Sequence, residues 1–110
     1  MTFPTYPKST ALAFNECISN ADIEALSGLM TDDHVFIDTA NNRIEGKSGN
    51  LTQAWIPFFD RYPGYRNIFE KIIVKDTTVI MQGYSICSDE NLNNVHAIWI
   101  AEIADGKVSR

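Results

Sequence analysis

The run HVFID at residues 34–38 ends in a carboxylate, and Asp38 is the residue whose type and setting best suit proton chemistry. Strand alternation places His34, Phe36 and Asp38 on one face and Val35 and Ile37 on the other. A carboxylate that shares a face with Phe36, beneath an aromatic helix, loses solvation. Its pKa is then expected to rise toward the range in which a general base works. The alternative is structural: an aspartate at a strand end commonly accepts N–H bonds from the turn that follows, here the one around Asn41 and Asn42.

Other polar groups are weaker candidates. His34 could pair with Asp38, but beside Asp32 and Asp33 it is expected to be a solvated residue at a strand start. His96 lies in NVHAIWIAEI, where it shares a face with Ile98, Ile100 and Glu102 while Val95, Ala97, Trp99, Ala101 and Ile103 share the other. If Trp99 is directed into a cavity, His96 is directed away from it, unless a one-residue bulge before Trp99 reverses the faces. Arg43 and Arg66 read as surface charge rather than as an anion clamp. No metal-ligand spacing, phosphate-cradling glycine loop or nucleophile elbow is present, so no metal and no cofactor is expected.

These side chains must be positioned by a small set of elements. Residues 1–8, with Phe3, Pro4, Tyr6 and Pro7, suggest an extended arm. Ser9 or Thr10 caps a first helix whose apolar positions are Leu12, Phe14, Cys17, Ile18 and Ala21. Asp22 caps a second, with Ile23, Leu26, Leu29 and Met30 as its stripe. The strand at 34–38 turns at Asn41-Asn42 as a two-residue hairpin and returns over Arg43 to Glu45.

A third helix carries Leu51, Ala54, Trp55, Phe58, Phe59 and Tyr62, and Pro57 should bend or divide it near Gln53 to Ile56. After Pro63-Gly64, three long strands are predicted at 65–75, 78–88 and 93–103, joined by hairpin links and therefore antiparallel. Lys107 to Arg110 forms a stub beside them, with a final strand either absent or lying beyond the given sequence. Helices followed by a strand meander describe an α+β domain, its N-terminal helices packed on one face of a curved antiparallel sheet.

At 110 residues the chain fits a single domain over 1–110. Apolar residues at 45% and charged ones at 21% indicate an ordinary globular core. The net charge of −5, with nine scattered Lys and Arg, argues against a nucleic-acid partner. No apolar run reaches the span of a bilayer and the N-terminus lacks a leader pattern, so no membrane association and a cytoplasmic address are expected. Cys17 and Cys87 read as reduced packing residues.

The order of elements and the stretch FNECISNADIEALSGLMTDDHVFIDTANNRIEGKSG resemble the NTF2-like superfamily, specifically its SnoaL-like branch of cystatin-type cones. The features that carry the resemblance are Ala21-Asp22 between two helices, the junction Leu29 to Asp33, the strand ending at Asp38, Glu45-Gly46-Lys47 and Tyr62 to Tyr65. The resemblance covers nearly the whole chain and implies a cone-shaped fold that hosts isomerases, dehydratases, epoxide hydrolases, cyclases and domains without chemistry. Against ketosteroid isomerase, Asp38 takes the place of the base, while Phe14 and Trp99 stand where the two oxyanion donors would be. Steroid isomerase activity is therefore not expected.

What the resemblance implies is a small apolar molecule held in a cavity lined by Phe14, Phe36, Trp55, Phe59, Tyr84 and Trp99, with Asp38 as base for a cofactor-free isomerase, dehydratase or cyclase. A non-catalytic ligand-binding or dimerisation module is the other reading. A homodimer is expected through the outer sheet face bearing Ile98, Ile100 and Ile86.

Overall fold

A computed structural model describes residues 7–38 and 40–110. The expected arm at Phe3, Pro4 and Tyr6 lies outside the described residues. Helix α1 runs Pro7–Ser19, with the proline in its first turn, where a missing N–H leaves no hydrogen bond unmade. Its buried face is Thr10, Ala11, Phe14, Asn15 and Ile18, whereas Leu12 is exposed. Hydropathy alone put Leu12 inside, but the core is reached by the 11, 14, 15, 18 stripe, and Asn15 is tolerated there because its amide finds partners.

Helix α2 (Ile23–Gly28) begins where the sequence indicated, with the Asp22 carboxylate accepting from Ala25 N–H at 3.1 Å. Strands β1 (Val35–Ile37) and β2 (Arg43–Glu45) form an antiparallel hairpin. The turn is longer than the expected two residues: it spans 38–42, with Asn41 at φ 65°.

The stretch from Lys47 to Arg61 changes helical type along its length. A short α3 (Lys47–Gly49) gives way to a π-helical segment Asn50–Trp55, and α4 (Ile56–Arg61) follows. Pro57 thus falls at the start of α4, where its lack of a donor is tolerated, and the division expected near Gln53 to Ile56 appears as a change of register.

Strands β3 (Arg66–Lys75), β4 (Thr78–Ile86), β5 (His96–Ala104) and β6 (Lys107–Val108) make a four-stranded antiparallel sheet in that order. A bulge at Glu70 lets β3 bend over β4, and Gly83 lies beneath it, where a Cβ would overlap the Ile68 carbonyl oxygen. No register shift interrupts the β4–β5 pairing, so the alternation read from sequence holds. Ala97, Trp99, Ala101 and Ile103 face the helices while His96, Ile98 and Ile100 are exposed on the outer face. The core joins Ala11, Phe14 and Ile18 of α1 and Leu26 of α2 to Val79, Met81, Ala101 and Ile103 of the sheet.

Short β6 has a large structural role. Val108 N–H donates to Leu29 O at 2.7 Å, and Val108 O accepts from Thr31 N–H at 3.1 Å. Val35 N–H donates to Ser109 O at 3.0 Å, so the end of the chain ties the β1–β2 hairpin to the main sheet. Among the described residues, no helix is long and apolar enough to cross a membrane.

Candidate functional site

Between the inner sheet face, α1 and the β1–β2 hairpin lies a concavity of about 1080 Å³. Phe14, Phe36, Trp55 and Trp99 line it, as the sequence suggested. Two expected wall residues do not. Tyr84 precedes inward-facing Ser85 on β4, so it points outward, its ring 5.9 Å from that of His96. Phe59 is one helical step past the cavity and packs behind Trp55 at 5.7 Å.

Asp38 sits at the mouth, and here the structure corrects the expected chemistry. Its Oδ1 accepts from the N–H groups of Ala40 and Asn42, both at 2.9 Å, and its Oδ2 accepts from the Asn42 side-chain amide at 3.0 Å. These bonds stabilise the anion, led by the Asn42 side chain, and hold the carboxyl below its ordinary range instead of raising it. The carboxylate is the organiser of its own turn, and desolvation, the expected cause of a raised value, is outweighed.

His34 is the second correction. Expected in solvent, it is only 2% exposed, and it lines the cavity beside Phe14, the two ring centres 5.8 Å apart. Its Nδ1 lies 2.7 Å from Val108 O, which can only accept, so Nδ1 carries the hydrogen. Burial pushes the imidazole pKa down, against the opposing pull of that carbonyl and of Asp33, and favours the neutral ring. The backbone around it is clamped by buried Asn50, whose amide shares its hydrogens among the carbonyls of His34, Ile44 and Gly46 at 3.1, 3.0 and 2.8 Å.

A polar chain also lies along the wall. Tyr65 O–H donates to Asn67 Oδ1 at 3.0 Å, Asn67 Nδ2 donates to Asn15 Oδ1 at 3.2 Å, and Asn15 Nδ2 donates to Ala11 O at 3.1 Å. Burial raises the Tyr65 pKa, with the Cys87 thiol as a smaller cause, which keeps the phenol neutral. Tyr65, Asn67 and Asn15 were not sequence candidates, and His34 was only a weak one. The signal was present in alternation: His34 shares a face with Phe36, and Asn67 shares one with Phe69. Arg43 pairs with Glu45 at 3.0 Å on the exposed rim, and among the described residues no cluster of ligating side chains could hold a metal.

A bent sheet closed by helices over an aromatic cavity with a few polar groups defines a class of small α+β cones. The chain belongs to the SnoaL-like domain family, whose model matches residues 11–110. Solved structures agree on the fold. An uncharacterised cystatin-fold protein from Novosphingobium aromaticivorans has a TM-score of 0.80 at 20% identity, over 94% of this chain and 93% of that one. A candidate polyketide cyclase from Sinorhizobium meliloti has a TM-score of 0.82 at 18% identity, covering 98% and 96%. An LEH-like epoxide hydrolase from M. tuberculosis has a TM-score of 0.75 at 17% identity, covering 94% and 77%. At such identities the likeness is one of fold. No curated protein matches the chain by sequence.

Proposed function

We propose that this SnoaL-like domain binds a small, largely apolar molecule in the cavity and acts on it by cofactor-free proton transfer, as an isomerase, dehydratase or cyclase does. The observation that carries this reading is the combination of aromatic walls with His34 and the Tyr65–Asn67–Asn15 chain in one concavity. An apolar enclosure provides the binding energy, and a few fixed polar groups orient what is bound. Asp38, held ionised by its turn, is a rim acceptor in this reading, and the proton-handling role passes to groups deeper in the cavity.

The non-catalytic alternative has its own support, since the Asp38 carboxylate and the asparagine chain are engaged in internal bonds. Deuterium exchange separates the two. With 2-tetralone, a two-ring ketone with acidic α-hydrogens, in D2O, exchange faster than in protein-free buffer supports proton transfer. Uptake of the ketone without added exchange supports the module.

The same proposal extends to assembly. Ile98, Ile100 and Ile73 are 63%, 61% and 46% exposed on the outer sheet face, an apolar surface suited to a second copy of the chain. Sedimentation is expected to give a dimer that the double change Ile98→Glu, Ile100→Glu converts to monomer. A monomer at high micromolar concentration in the unchanged protein removes this part.

A further inference from the structure

We infer that His34 Nε2 is the group that reads the polar end of the bound molecule, so that the cavity selects a flat apolar compound carrying one hydrogen-bond donor: a phenol, an enol or an N–H heterocycle. The inference rests on the ligand-binding half of the proposed function and adds the class of ligand.

The argument is one of tautomer and satisfaction. Val108 O accepts from His34 Nδ1 and from Thr31 N–H, while Val108 N–H is anchored on Leu29 O, so the carbonyl that fixes the ring is itself held. Turning the ring over would place a carbon against that oxygen, losing a buried hydrogen bond. With the hydrogen on Nδ1, the neutral ring keeps its lone pair at Nε2.

No described residue bonds to Nε2. The buried, unpartnered side-chain polar atoms among the described residues are Thr31 Oγ1, Asn50 Oδ1 and Trp55 Nε1, and Nε2 is not one of them. His34 lines the cavity, and that side is where an Nε2 without a partner among the described residues finds room for one. The neighbouring polar side chains spend hydrogens on protein acceptors, which leaves few donors for a guest. Tyr65 and Asn67 donate along their own chain, and Asn15 donates to Ala11 O. What the aromatic walls offer a guest is therefore an acceptor in need of a donor.

The test compares 2-naphthol with naphthalene by equilibrium dialysis, in the unchanged protein and in His34→Asn. The asparagine amide can keep the bond to Val108 O while deleting Nε2. The unchanged protein is expected to prefer 2-naphthol, and the variant to lose about three- to tenfold of its 2-naphthol affinity while keeping that for naphthalene. Naphthalene binding without a preference for 2-naphthol overturns this inference and leaves the cavity reading intact. Uptake of neither compound sinks both.

Side-chain 15N NMR of the unchanged protein gives an answer that does not depend on the variant folding. A protonated Nδ1 and a bare Nε2 whose shift moves on adding 2-naphthol support the assignment. A hydrogen on Nε2 overturns it.

Discussion

His34 and Asp38 flank one short strand, on the same face, and both have pKa values moved downward, yet the two ends of β1 behave as opposites. At the inner end burial penalises the charged imidazole; at the outer end three N–H bonds reward the charged carboxylate. The first shift comes from what surrounds the side chain in space, the second from the four residues that follow it in sequence. The carboxylate at the end of β1 is thus held as an anion by its own turn. The histidine, masked by its acidic neighbours in sequence, occupies the setting expected for the aspartate.

The largest way to break this contrast is to release the inner end. Asn50→Ala removes the donor shared by three carbonyls in a fully buried position and is expected to cost about 3 kcal/mol in urea unfolding. It should also loosen His34, read as weaker binding of 2-naphthol. A loss under about 1 kcal/mol shows that the clamp is dispensable.

A smaller effect separates the two ends by pH. The folded imidazole binds a proton less readily than the unfolded one, so as pH falls below about 6.5 the unfolded state takes up the proton first. The His34 contribution is thus complete above that value and declines below it, by no more than about 1.4 kcal/mol per pH unit for a single group. Asp38 acts in a separate window, its contribution present above the ordinary carboxylate value and lost as pH falls below about 4. Urea midpoints from about pH 7.5 down to about 5 should fall in the unchanged protein and stay flatter in His34→Asn. Equal slopes place the histidine in solvent after all.

Asp38→Asn is expected to do least. The amide keeps one acceptor, so the turn persists with faster hydrogen exchange at Ala40 and Asn42, and 2-naphthol affinity changes far less than in His34→Asn. A loss of affinity as large as the histidine variant's would return Asp38 to the centre of the site.

What could be read in the sequence follows from how local each cause is. The Asp22 cap, the positive φ at Asn41, the break at Pro57 and the alternation of β5 are each set by residues a few positions apart, and each appears where expected. Tyr84 and Phe59 were misplaced because an aromatic side chain suits either face of an element equally well on hydropathy grounds. For Tyr84 the strand register decides, fixed by pairing with β3 and β5, and for Phe59 the packing of α4 against Trp55 decides.

By itself the chain determined its helices and its antiparallel strands, because capping, turn chemistry and hydrophobic period act over one or two turns of backbone. Only the tertiary structure decided which polar groups share the cavity. The partner that fixes the His34 ring is a carbonyl 74 residues away at Val108, and the Asn15–Asn67 bond joins a helix to a strand across 52. A side chain's solvation and tautomer depend on such distant neighbours, and no local pattern encodes them.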